Sequence, residues 1–331
     1  MSTALLDVAT LEKLISAAVA APSIHNTQPW RFRLDPDTPA LEIRAAANRG
    51  LRHIDPAGRA LHLSVGCALF NLRLAVAHHG WEPVTRVLPS PAEPGLLAAV
   101  RLGGPTRISP APGLYDAVWR RHSSRFPFSE RPLPTALLSE LAEAAHADGA
   151  LLGFADPDER DRLLRVTLEA ERRTTADRDR SSESRRWVRE PDAAALGIPP
   201  TAVGPQDYRD RVPMRDFGAH RHPAALAARV FEERPTIAVL STAHDRRADW
   251  LRAGQALQHA LLVATVHGVR ASLLHQAMEW PDLRGELVRG PEDGRAHAQM
   301  VIRLGYGPEG PASPRRTAAQ SLERDRLAAP G

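Results

Sequence analysis

"GQALQHALLVATVHG", Gly254 to Gly268, repeats "GCALFNLRLAVAHHG", Gly66 to Gly80, without a gap. Gly, Ala, Leu, Leu, His and Gly recur at identical positions, each 188 residues apart. Short apolar helices match by chance often enough that one such pair decides little. A second pair in the same order decides more: "MVIRLGY" (Met300 to Tyr306) echoes "AAVRLGG" (Ala98 to Gly104). The chain reads as an internal duplication, two α+β halves packed as a pseudo-dimer.

Working outward, both halves follow one grammar. Apolar residues at Leu11, Leu14, Ile15, Ala18 and Val19 give Thr10 to Ala21 helical spacing, with Thr10 as the cap and Pro22 as the stop. "WRFRL" (Trp30 to Leu34) alternates Trp30, Phe32 and Leu34 with arginines, as a half-buried strand does. "DPDTP" turns it and "ALEIRAA" answers as its partner. A helix near Gly58 to His79 and a strand from Leu96 to Gly104 complete this half. In the second half, Pro134 to Ala145 is an amphipathic helix and Pro235 to Ser241 a buried strand. The first helices correspond at an offset near 123, against 188 for the second pair, which leaves 65 residues of extra chain. We therefore divide the chain into halves 1–110 and 111–331, with an insertion over 168–233. That stretch is rich in Arg, Asp and Pro and weakly periodic. Trp187, Tyr208, Met214 and Phe217 give it something to pack with, so it is expected to be a lid rather than a disordered loop.

Composition narrows the function classes. The 331 residues suit about two domains. With Cys67 as the sole cysteine, disulfide frameworks and cysteine-ligated metal sites are excluded. No stretch approaches the roughly 20 apolar residues of a membrane span, and the start "MSTALLDVATLEKL" carries no signal-peptide pattern. A cytoplasmic protein is expected. Net charge is only +4, and Lys13 is the only lysine among 43 basic residues. The arginines lie among acidic neighbours, so nucleic-acid binding is not expected.

Two turns carry more polar equipment than a connection needs. "APSIHNTQPWRF" (Ala21 to Phe32) places Pro22, Ser23, His25, Asn26 and Gln28 in one short link. "WRRHSSRFPF" (Trp119 to Phe128) gathers Arg120, Arg121 and Arg125 around Ser123 and Ser124, a set that suits a phosphate or a solvated basic turn equally well. "SPRRTAAQ" adds Arg315 and Arg316 near the end. His25 and His275 read as well as structural histidines as site residues. His78 and His79, at a helix end, read as surface residues rather than ligands, and no metal site is expected.

"APSIHNTQPW" resembles the Pro-Ser-x-x-Asn-x-Gln-Pro-Trp turn of the flavin-dependent nitroreductase superfamily, and "RRHSSRFPF" resembles its Arg-Arg-Ser-x-Arg-x-Phe signature. "GVRASLLHQAMEW" and "MVIRLGYG…PRR" are similar to its later flavin-facing loop and last strand. Order, duplication and insertion most resemble the Acg-like branch of fused pseudo-dimers, over nearly the whole chain apart from the insertion. The resemblance implies the nitroreductase-like fold and FMN at the interface between the halves. It also implies two-electron transfer from NAD(P)H through flavin N5 to a nitroaromatic, quinone or similar acceptor. Half one lacks an arginine-serine motif and half two lacks the Pro-Ser-x-x-Asn turn, so the resemblance implies one composite site. There Arg121 and Ser123, with Arg120 and Arg315 or Arg316, would bind the phosphate, and Arg125 would face the N1–C2=O side of the ring. Asn26 and His25 would meet the ring edge, and Pro22 and Ser23 its face. His275 and Gln276 would lie near N5 and O4. The alternative is an FMN-sequestering protein whose lid stays closed. A fused pseudo-dimer is expected to be a monomer.

Overall fold

The computed structural model describes residues 7–35, 38–106, 111–217, 228–288 and 296–323. Helix α1 (Val8–Val19) opens the first half. Its cap is Asp7, not Thr10: the Asp7 carboxylate accepts the Thr10 N–H at 2.7 Å and the Thr10 hydroxyl at 3.0 Å. A carboxylate outranks a threonine here because it accepts both donors and faces the positive end of the helix dipole. Strands β1 (Trp30–Leu34) and β2 (Ala40–Ala45) form a hairpin whose turn lies partly outside the described residues. Helix α2 (Arg59–His78) follows, with the Asp55 carboxylate accepting the N–H groups of Ala60 and Leu61. Strands β3 (Trp81–Val87) and β4 (Leu96–Pro105) close an antiparallel sheet of order β1-β2-β4-β3.

The second half runs through α3 (Leu114–Arg120), α4 (Thr135–Ala147), β5 (Leu151–Phe154), α5 (Pro157–Ala176) and α6 (Arg178–Arg186). It continues with β6 (Thr236–Thr242), α7 (Arg247–Val266), β7 (Arg270–Leu274), α8 (Pro281–Gly285), β8 (His297–Gly305) and α9 (Ala318–Ser321). Its antiparallel sheet has the order β5-β6-β8-β7, which is the order of the first sheet. The extra chain lies between β5 and β6. It is more regular than its sequence suggests, since α5 and α6 occupy its first part. Neither β3 nor β7 is anticipated by the sequence pattern. Both are sheet edges, and β3 contains Pro83, which an edge strand tolerates and a central one does not.

The repeated helices α2 and α7 cross at the two glycines that begin the repeated motif. A Cβ on Gly254 would lie 2.1 Å from the Leu63 carbonyl oxygen, and one on Gly66 would lie 2.3 Å from that of Leu251. The backbones touch directly, and only glycine permits that. Around the crossing, Gln258 donates to Asn71 at 2.8 Å and Arg73 donates to Gln255 at 2.7 Å. One core of buried apolar side chains runs across both halves through this contact. By length and hydropathy α2 alone among the described helices could cross a membrane, but 83% of that window is buried inside the protein.

The second half also completes the first: Leu322 forms a parallel bridge to Phe32 of β1, while the parallel bridge from Ser123 to Ala271 of β7 lies within the second half.

Candidate active site: a cationic cleft between the halves

Where α2 and α7 meet the two sheets, a cleft encloses roughly 1130 Å3, solvent at its mouth included. Both over-equipped turns open onto it. Pro22, Ser23, His25 and Asn26 come from the first; Arg121, Ser123 and Arg125 come from the second; His275, Gln276 and Arg315 complete the set. Arg120 and Arg316 do not line it. Arg120 is exposed on the last turn of α3, one residue and about 100° of helix away from the inward Arg121. Arg316 uses its backbone N–H on the Gln28 side chain.

The first turn is strained and serves three partners at once. His25, Asn26 and Gln28 all have positive φ, near 50°, which is uncommon for residues other than glycine and marks a conformation imposed by its surroundings. The Asn26 amide donates to the carbonyls of Gly197 (2.8 Å) and Pro314 (2.9 Å), and its oxygen accepts from Arg315 (2.9 Å). The Gln28 amide donates to the Ala195 carbonyl. Asn26 thus has its polar groups taken up within the protein. It joins the turn to the C-terminal segment and to the β5–β6 segment, a different task from meeting a ring edge.

Three guanidiniums also line the cleft. Arg121 is buried, and its best contact is a long one, 3.5 Å to the Ala20 carbonyl. Arg125 donates to the Ala202 carbonyl at 2.8 Å and lies over the Phe217 ring. Arg315 reaches Asn26 and two backbone carbonyls. Among the described residues none of the three has a carboxylate partner, and the Nε atoms of Arg121 and Arg315 are buried with no hydrogen bond. Burial lowers Arg121 to about 10; burial and repulsion from Arg215 lower Arg125 to about 10; burial and repulsion from Arg121 lower Arg315 to about 9. A cluster of buried cations without counter-charge calls for an anion.

A paired network borders the cleft as well. The His275 Nδ1 meets Glu279 Oε1 at 3.0 Å and its Nε2 meets Arg59 at 2.8 Å. Arginine can only donate, so Nε2 accepts and the proton resides on Nδ1. Burial, with the charges of Arg59 and Arg215, holds His275 neutral, well below the ordinary histidine value. Gln276 donates to the Pro213 carbonyl. Both His275 and Gln276 border the cleft, yet their hydrogen bonds run into the protein.

Sequence reasoning missed the wall contributed by the β5–β6 segment: Ile198, Ala202, Met214, Arg215 and Phe217. Arg215 is anchored by Glu279 at 2.5 Å. Farther along, Glu183 of α6 is buried and accepts three successive N–H groups of the first half, from Arg52, His53 and Ile54, at 2.8–2.9 Å. Glu183→Ala should cost about 2 kcal/mol, because three backbone donors, the Ile54 N–H buried among them, lose one acceptor. Faster hydrogen exchange at Arg52 to Ile54 and through α6 would check it. Unchanged exchange there would mean that the segment is held elsewhere.

No family model matches the chain. It is 30% identical over 331 residues to "Putative NAD(P)H nitroreductase Rv3131" of Mycobacterium tuberculosis, covering 98% of this chain and 94% of that one. It is also 30% identical over 319 residues to "Putative NAD(P)H nitroreductase acg" of the same organism, covering 92% and 93%. Among solved structures, it is similar to the FMN-dependent nitroreductase NfnB from Mycobacterium smegmatis, in complex with NADPH. That match is 20% identical with a TM-score of 0.40 over 64% of this chain and 100% of that one, a likeness too shallow to add to the two relatives.

Proposed function

The chain belongs to the NAD(P)H nitroreductase family, and from that premise we propose that its cleft binds FMN and that the protein carries two electrons from a reduced nicotinamide to a small acceptor such as a nitroaromatic or a quinone. The observation that carries this reading is the pair of buried guanidiniums, Arg121 and Arg315, that border the cleft without a carboxylate among the described residues and with their Nε atoms unpartnered. A phosphate monoester supplies the anion they lack, and its oxygens match the fork of donors each arginine offers. When bound, FMN would supply hydride acceptance and two-electron delivery.

The chain's own residues would do the rest. Arg121 and Arg315 hold the phosphate, with the Ser123 hydroxyl beside them. Arg125 brings a fixed positive charge to the side of the ring where reduction builds negative charge. Pro22 and Ser23 back the ring's face. Asn26 keeps Arg315 in place. His275, neutral and held between Arg59 and Glu279, offers a rigid polar edge that neither gives nor takes a proton at neutral pH. We further propose that residues 1–110 and 111–331 are the two halves of a monomeric pseudo-dimer. The described part of 168–233 would serve as its cover, in a protein that works in the cytoplasm.

That cover supports a second reading. Five of its residues form one wall of the cleft, and Glu183, Gly197 and Arg215 fasten it to both halves. A cover held so firmly would shut out nicotinamide, and the protein would then sequester FMN. An anaerobic visible spectrum with NADPH and with NADH separates the two. Bleaching of a bound flavin is the expected result for the oxidoreductase. A flavin reduced only by dithionite would favour sequestration, and a protein that takes up no added FMN would sink both.

A further inference from the structure

His25 stands where the cover meets the first half. Its ring lies 5.2 Å from that of Phe217, edge to face, and the residue is 8% exposed. The Nδ1 atom is buried without a hydrogen-bond partner. The charged or titratable groups facing it are Arg215 of the cover, Arg125 of the segment after α3, and His275 at the end of β7. No carboxylate is among them. A histidinium here would carry a buried N–H with no acceptor and would face two guanidiniums.

We propose that His25 is an acid-released bolt of the cover: its neutral ring fits beneath the closed cover, and its charged ring is accommodated only after Phe217 and Arg215 have moved away. The direction follows from proton linkage. In the closed state, burial and the three neighbouring groups push His25 well below its usual range. With the cover open, water reaches the ring and its affinity for a proton returns toward the ordinary value, about 6.5. Opening therefore takes up one proton from solvent. Above about pH 7 the equilibrium is independent of pH. Below about 6.5 it shifts toward opening by up to tenfold per pH unit. His275 does not share this role, because its two nitrogens are held by Arg59 and Glu279, which lie outside the cover. The bond from Glu279 to Arg215 makes the closed state the resting one at neutral pH.

The proposal rests on the reading of the cleft as a flavin site for one of its two readouts only. Hydrogen exchange over residues 197–217, corrected for the intrinsic effect of pH, reads the cover directly on the full chain. Release of FMN from loaded protein, followed by recovery of flavin fluorescence, reads its consequence. Between pH 6.5 and 5.5, protection of the cover should fall about fivefold and FMN release should speed up in parallel. In His25→Asn, which tolerates positive φ and cannot take up a proton in this range, both should lose that dependence. Protection that ignores pH in the wild type, or that keeps its full pH dependence in His25→Asn, overturns the bolt. If His25→Asn does not fold, the NMR titration of His25 in the wild type decides. Titration in step with loss of protection supports the bolt, and titration beneath a still-protected cover overturns it. A protein that retains no FMN yet shows the exchange behaviour would refute the flavin reading and leave the bolt intact.

Discussion

Arg121→Met should give a flavin-free protein that is more stable than the wild type and that binds FMN about a hundredfold more weakly; Arg315→Met, which also strips the Asn26 oxygen of its donor, should match it in the binding loss alone. The two effects have one cause. Each guanidinium is held in the protein without a carboxylate, and burial lowers it from the usual arginine value to about 10 for Arg121 and about 9 for Arg315. Relieving that burial at Arg121 with an apolar chain of similar length should stabilise the empty protein by about 1–3 kcal/mol. Losing a charge-assisted contact to a phosphate costs about 1.5–3 kcal/mol of binding, which at its upper end is a hundredfold in Kd. Urea unfolding of the flavin-free variants gives the first quantity, and fluorescence titration with FMN gives the second. Opposed signs are the signature of a binding residue kept at the expense of stability. Should stability fall while FMN affinity holds, the guanidiniums are structural and the anion site lies elsewhere.

Gly254→Ala should destabilise the protein by ~3 kcal/mol or more, the largest loss expected from adding one methyl group anywhere in the described fold. Overpacking an interior costs about 1–3 kcal/mol when side chains can shift aside. Here the obstacles are the Leu63 carbonyl oxygen at 2.1 Å and the Gly66 Cα at 2.8 Å. Both belong to the backbone of α2, so the two helices would have to separate along a contact that lies within the shared core. Gly153→Ala is the control: nothing lies within 4 Å of its would-be Cβ, and it should shift stability by a few tenths at most. Equal unfolding midpoints for the two variants would mean that the helix crossing adapts, contrary to the close approach.

The helix repeat at a spacing of 188 is the part of the fold most legible in the sequence, because Gly66 and Gly254 meet at the crossing and nothing else fits there. The two polar turns are legible as elements of the cleft for a related reason: no local structure explains His25, Arg121 or Arg125, and all three border it. Distinguishing Arg120 from Arg121 needed the phase of α3, which a motif does not carry. The edge strands β3 and β7 are short or interrupted by proline, so alternation is weak in both. In α5 the buried face of Leu163, Leu164, Val166 and Ala170 is hidden among arginines and glutamates. Phe217 is legible only as a packing residue of the insertion and Arg215 gave no signal at all, since what makes them wall residues is contact with His25 and Glu279, far away along the chain. The same holds for Asn26. Its residue type suggested a ligand contact, and its actual partners lie near residues 197 and 315.

The bridge from Leu322 to Phe32 sets the order in which this molecule can be made. It closes a loop that spans almost the whole chain, and loops of that length form late because their ends must first find each other. During synthesis the first half leaves the ribosome long before the residues that complete the edge of β1 exist. Arg315 and the Pro314 carbonyl, which steady Asn26, arrive equally late. A nascent chain interrupted before residue 314 would hold both helices of the crossing and still have no finished cleft, so the first turn waits for residues made 288 and 289 positions later.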